Sequence, residues 1–199
     1  MILCCEFRIF TKTIIKRKLT IYMKYLVLII VILLTQTPMT IYKFNTDSKQ
    51  TDWYILDDVV MGGKSNGSFS INEAGNGLFK GEISLENNGG FSSIRHDCDV
   101  KKIEGFTHFR IRIKGDGNPY QFRVKSDKNN RHSYAATFQT SGNWETIDMA
   151  FSNMPAVFRG RNLDMPNFSG KNIEEIGFLI GTKKPQKFQL EIESIVLVN

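Results

Sequence analysis

"LDDVVMGGKSNGSFSI", Leu56 to Ile71, is the stretch on which the fold turns. As the end of a phosphate-binding loop, Gly63-Lys64-Ser65 would need a glycine five positions before Gly63 and a helix after Ser65, so that free N–H groups face the phosphates. The first position is Asp58, whose carboxylate would repel phosphate. After Ser65 the chain reads Asn66-Gly67-Ser68-Phe69-Ser70-Ile71, polar and apolar in turn with a period of two, which predicts a strand. The nucleotide-binding reading is therefore rejected. Met61-Gly62-Gly63-Lys64-Ser65 reads as a glycine-built connection between strands, with Asp57 and Asp58 expected to accept N–H bonds from the turn.

Working outward, the same period recurs. Phe109, Ile111 and Ile113 alternate with Arg110, Arg112 and Lys114; Gly115 to Pro119 turns the chain; Tyr120, Phe122 and Val124 then alternate with Gln121, Arg123 and Lys125. This pattern predicts a hairpin. Ile147, Met149 and Phe151 form another alternating set, as do Ile176, Phe178 and Ile180. The last run, Phe188 to Glu193, changes phase near Ser194 and continues through Ile195 to Val198, which predicts a bulge or a change of neighbour. No stretch has the spacing of a long amphipathic helix, and Ser169 to Asn172 is the best site for a short helical turn. Many short strands joined by glycine-rich turns predict an all-β antiparallel sandwich spanning 52–199, with one face of each sheet packed inward.

Charge and hydropathy are unevenly spread. Of the 26 basic residues six lie in residues 1–24, against one of the 20 acids, so the remainder is nearly neutral despite a net charge of +6. A domain without a basic stripe is not expected to bind nucleic acid. The apolar run Tyr25 to Leu34 follows Met23-Lys24 and is shorter than the ~20 residues of an ordinary span, but it has the length of a signal-peptide core. Residues 1–42 thus read as a basic leader with a signal peptide or membrane anchor, with Met23 a possible true start. The polar segment 43–51 reads as a linker. Export or membrane tethering, with the membrane engaged only through this N-terminal segment, is the expected location.

Candidates for chemistry are sparse. Cys98 is the lone thiol beyond the leader, which holds Cys4 and Cys5, so no internal disulfide is expected. His96 and Cys98 would share a strand face as half of a metal site, and Asp57, Asp58, Asp97 and Asp99 are possible sources of calcium ligands, but neither set has a complete ligand spacing. There is no nucleophile elbow and nothing selects a carboxylate pair. No cofactor and no enzymatic activity are expected. Asn87, Asn88, Gly89, Gly90 and Phe91 in one segment, and Phe158, Arg159, Gly160 and Arg161 in another, could form a rim of amide, guanidinium and aromatic groups of the kind that holds sugars or carboxylates. They could equally be loop-forming residues whose arginines tie down neighbouring carbonyls.

Taken in order, "DWYILDDVVMGGKSNGSF", "LFKGEISLENNGGFSSIR", "GDGNPYQFRVKSD", "FQTSGNWETIDMAFSNMPAVFRGR" and "IEEIGFLIGTKKPQKFQLEIESI" resemble the complex I intermediate-associated protein 30 family over Trp53 to Ile195. The resemblance implies a galactose-binding-domain-like jelly-roll sandwich. It also implies a non-catalytic, chaperone-like assembly factor that binds protein partners. Trp53, Asp57, Met61, Gly62, Gly63 and Ser65, with Asn88, Gly89, Gly90 and Phe91, and with Phe158, Arg159, Gly160 and Arg161, occupy the family's motif positions. One departure stands out: mitochondrial members carry transit peptides, whereas this leader has the apolar run of an exported protein. An exported bacterial form would lie across the membrane from the cytoplasmic arm of complex I. A protein-binding role survives that difference, and a carbohydrate-binding module is the alternative.

Overall fold

In the computed structural model, residues 17–19, 21–25 and 37–199 are described. The apolar run expected to act as signal or anchor falls almost entirely outside them. Residues 17–19 and 21–25 are helical, and among the described residues no helix is long and apolar enough to cross a membrane.

From Pro38 onward the chain forms one compact unit. Its strands, in order, are β1 (Met39–Lys43), β2 (Tyr54–Asp57), β3 (Asn66–Ile71), β4 (Gly77–Ile83), β5 (Phe91–Lys101), β6 (His108–Lys114) and β7 (Pro119–Lys125). They continue as β8 (Ser133–Gln139), β9 (Trp144–Ala150), β10 (Ala156–Phe158), β11 (Arg161–Asn162), β12 (Asn172–Gly181) and β13 (Gln186–Val198). One sheet runs β3-β4-β13-β6-β9 with β1 added beside β13, and the other runs β11-β10-β8-β7-β12-β5-β2. Adjacent strands are antiparallel throughout. The predicted two-sheet, all-β sandwich is what forms.

Alternation sets the inner faces. Phe109, Ile111 and Ile113 of β6 are fully buried, as are Tyr120, Phe122 and Val124 of β7 to within 1%. Each such side chain contributes ~1.5–3 kcal/mol relative to exposure, so both rows favour closing the sandwich over them. They do not form a hairpin, however. β6 pairs with β13 and β9, while β7 pairs with β12 and β8. The connection Gly115–Asn118 instead carries the chain from one sheet to the other, so the two apolar rows face each other and the rings of Phe109 and Phe122 meet at 5.0 Å. Thr140 fixes this crossing: its Oγ1 accepts from Gly117 N at 3.0 Å and donates to the Asn118 carbonyl at 2.8 Å.

The phase change near Ser194 is both a bulge and a change of neighbour. The register of β13 against β6 slips between Ile192 and Ser194, which lets Ile192 and Ile195 both point into the core at 0% exposure. On its other side β13 pairs with β4 over Gln186–Ile192 and with β1 over Ser194–Leu197. The strand β1 and the buried ring of Phe44 thus belong to the folded unit, ahead of and within the segment read from sequence as a linker. Ser169 to Asn172 forms no helical turn. Gly170 there takes φ +67° against the ring of Phe151, and the short helical turns lie at Gln50–Asp52, Asp58–Met61, Glu86–Asn88 and Phe151–Asn153.

Candidate functional site

The opening stretch folds around a buried carboxylate. Asp58, 1% exposed, accepts Ser65 N at 2.9 Å through Oδ1, and through Oδ2 it accepts Ser65 Oγ at 2.5 Å, Gly90 N at 2.6 Å and Phe91 N at 3.2 Å. Burial pushes its pKa up, but these donors together outweigh it and leave the group below the usual carboxylate value. Gly63 packs so close that a Cβ there would sit 2.3 Å from Asp58 Oδ1. Asp57 accepts Gly67 N at 2.9 Å and Ser92 Oγ at 2.5 Å, and Asn87 Nδ2 donates to the Gly62 carbonyl at 2.9 Å. Asp57, Asp58, Gly62, Gly63, Ser65, Gly89 and Gly90 therefore form one knot. It ties the Asp58–Met61 turn to the loop before β5, as the turn reading of Asp57 and Asp58 requires.

Beside this knot, the outer face of the seven-stranded sheet carries a groove of about 520 Å³, within the ~300–1,000 Å³ range of ligand sites. Its floor comes from outward positions on neighbouring strands. Ser93 and Arg95 lie on β5, Glu175, Gly177 and Leu179 on β12, and Gln121, Arg123 and Lys125 on β7. One end is closed by Asn88 and Phe91, the other by Arg131, Val157, Phe158, Arg159 and Gly160.

Register explains its centre. Gly177 pairs with Arg95 on one side and Arg123 on the other, so the two guanidinium groups flank a position without a side chain. The glycine is required there, because a Cβ would meet the Ile94 carbonyl oxygen at 2.5 Å. Arg95 reaches Glu175 at 3.4 Å, and Tyr54 donates its hydroxyl to the same carboxylate at 2.9 Å. Burial, followed by Glu175, drives the Tyr54 pKa upward. Arg123 donates Nε and Nη2 to Gln121 Oε1 at 3.1 and 2.8 Å, and burial together with Arg95 pulls it down to about 10. Over Phe158 stand two more guanidinium groups, Arg131 at 5.0 Å and Arg159 at 5.5 Å from the ring centre.

The sequence-derived candidates thus divide. Asn88, Phe91, Phe158, Arg159 and Gly160 line the groove. Trp53 does not; it is 4% exposed in the core, stacked on His96 at 5.1 Å. Met61 ends the turn Asp58–Met61, and Arg161 sits exposed on β11 outside the groove lining. Arg95, Gln121, Arg123, Lys125, Arg131 and Glu175 were not singled out from sequence, although alternation already placed Gln121, Arg123 and Lys125 together on the polar face of one strand. Cys98 is poorly suited to nucleophilic work: burial, then Asp97 and Glu175, push its thiol up to about 12. Among the described residues no three metal-ligating side chains come together.

A model of the family described as Complex I intermediate-associated protein 30 (CIA30) matches residues 42–192. The chain belongs to the CIA30 family. The match begins at Tyr42 in β1, in keeping with the structural start of the domain. No curated protein matches the chain. In fold, this CIA30 domain resembles the Family 11 carbohydrate-binding module from Clostridium thermocellum in complex with a β-1,3-1,4-mixed-linked tetrasaccharide, with a TM-score of 0.58 and 16% identity over 81% of this chain and 95% of that one. A second structure of a Family 11 module, from the cellulosomal cellulase Lic26A-Cel5E of the same organism, gives 0.58 and 16% over 82% and 95%. Identity this low speaks for the sandwich and not for a shared ligand.

Proposed function

We propose that this CIA30 domain is a non-catalytic protein-binding sandwich with an assembly or scaffolding role, and that the groove on its seven-stranded sheet holds the partner. The observation that carries this reading is the groove's lining: guanidinium groups around a phenylalanine, with no Trp among the lining residues and the neighbouring Tyr54 tied through its hydroxyl to Glu175. Arginine and aromatic side chains are enriched among the anchors of protein partners, whereas a flat, exposed Trp or Tyr platform would favour a sugar. The one carboxylate in the groove, Glu175, is already engaged by Arg95 and Tyr54, which leaves no pair for acid–base chemistry. The apolar run Tyr25 to Leu34 supports delivery of the domain to the cell envelope.

A carbohydrate-binding role is the second reading. It is favoured by the likeness to a module whose structure contains a tetrasaccharide. The two readings part in one experiment. Tagged full-length chain and an Arg123→Gln/Phe158→Ala variant are used to capture proteins from membranes of the native cell, identified by mass spectrometry, while both are applied to a glycan array. The proposal expects subunits of one membrane assembly with the parent, their loss with the variant, and a blank array. Identical captures from parent and variant, or a saturable glycan signal that the variant loses, would overturn it.

A further inference from the structure

The charge of the groove is lopsided. Five of its lining side chains are basic and one is acidic. A second depression, over β3, β4 and β13, is lined by Lys80 and Lys187 against Glu82 and Asp116 and is balanced. On the outer face of the six-stranded sheet, β6 pairs its charges across strands: Arg110 holds Asp148 through two bonds of 2.7 Å, and Arg112 and Lys114 lie 3.7 Å from Glu193 and Glu191. In the groove, Arg95 shares Glu175 with Tyr54. Among the described residues Arg123, Arg131 and Arg159 have no carboxylate partner.

Arg123 is the most telling. Its forked Nε and Nη2 donors, the geometry that matches a carboxylate, converge on the neutral amide oxygen of Gln121. The group is half-buried beside Arg95, a costly arrangement without a carboxylate to offset it. With strands ~4.8 Å apart, Arg95 and Arg123 stand roughly 10 Å apart on either side of Gly177. An extended main chain laid across the strands passes over Gly177 and reaches both guanidinium groups with acidic side chains a few residues apart.

We infer that the occupant of the groove is an extended, acidic segment of the partner protein, its carboxylates paired with Arg95 and Arg123 and with the arginines over Phe158. The inference rests on the reading that the groove holds a protein. The lining runs from Val157 on β10 to Leu56 on β2, six strands, or roughly 24 Å, which a segment of about seven residues spans when extended. Protein is favoured over an acidic polysaccharide because the groove's rim aromatic already lies beneath guanidinium groups. It is favoured over nucleic acid because the chain beyond residue 24 is nearly neutral overall, so the groove's positive charge is local and no wider basic field extends it for a longer phosphate backbone.

The test is fluorescence anisotropy with full-length chain in mild detergent. The probes are a fluorescein-labelled octapeptide of alternating Glu and Ala, its Gln-for-Glu counterpart, polygalacturonate and oligothymidylate. Binding of the acidic peptide should exceed that of the neutral one by at least about tenfold and weaken as salt rises. Arg95→Gln and Arg123→Gln should each weaken it about tenfold or more; the melting temperature should stay near the parent's in Arg123→Gln and fall in Arg95→Gln, which takes the cation from the buried Glu175. Equal binding of the two peptides, or unchanged affinity in both variants, would overturn the inference. So would tighter, arginine-dependent binding of polygalacturonate or oligothymidylate. If membrane capture depends on the groove while the acidic peptide does not bind, the acidic occupant is wrong and the protein-binding reading stands. Capture that ignores the groove removes that reading itself.

Discussion

Replacing Asp58 with Asn tests whether the knot beside the groove holds the domain together. The two side chains have nearly the same shape, so the change isolates charge and acceptor number. Asp58 receives Ser65 N on one oxygen, and Ser65 Oγ, Gly90 N and Phe91 N on the other. An Asn oxygen turned toward the crowded side keeps three bonds but makes them neutral, at a cost of ~0.5–1 kcal/mol each. Its amide then faces Ser65 N, and a buried N–H left without an acceptor costs ~1–3 kcal/mol. The expected loss is about 3–5 kcal/mol, which for a domain of this size lowers Tm by roughly 6–20 °C. Because the folded pKa of Asp58 lies below the ordinary value of ~3.9, the stabilisation it supplies is complete above that value and lost as pH falls through the folded pKa. The gap between parent and Asp58→Asn should therefore be widest near neutrality and narrow below about pH 4. Thermal denaturation followed by circular dichroism across pH reads both effects. A Tm within 2 °C of the parent at neutral pH, or a gap that grows in acid, would refute the reasoning.

Three further perturbations bear on the same account. Gly63→Ala puts a methyl 2.3 Å from Asp58 Oδ1, and the forced shift should cost ~1–3 kcal/mol in urea denaturation. Arg123→Met, which removes a half-buried cation without a carboxylate partner among the described residues, should leave the unfolding free energy unchanged or raise it by up to ~1 kcal/mol while abolishing binding of the acidic octapeptide. Phe158→Ala, at the groove's rim, should cost under ~1 kcal/mol of stability by the same assay yet weaken partner capture.

Much of the fold was legible in the sequence because burial on one face of a sheet writes itself as a period of two. The rows Phe109–Ile111–Ile113 and Tyr120–Phe122–Val124 were assigned to the core correctly, and the slip near Ser194 announced a real bulge. Their pairing was not legible. A turn rich in Gly, Asp and Asn serves a hairpin within one sheet and a crossing between two sheets alike, and only contacts distant in sequence decide between them. The groove follows the same logic. Phe91, Phe158 and Arg159 belong to conspicuous glycine-flanked segments. Arg95 and Arg123 look like ordinary outward strand residues until β12 is laid between them with Gly177 at the crossing point. Trp53 was marked only by the family resemblance, which does not say whether a motif residue faces a rim or the core, and here Phe44, Phe69 and His96 pack around it.

The most direct measurement places a photoreactive amino acid at Thr137, on the outer face of β8 beside Gln121, and in a second protein at Thr146 on the outer face of β9 in the opposite sheet. Both positions are exposed. Irradiation in membranes of the native cell should crosslink one and the same partner from Thr137 and not from Thr146. Crosslinking from Thr146 alone, or equally from both, would contradict the claim that the groove on the seven-stranded sheet is where this domain binds.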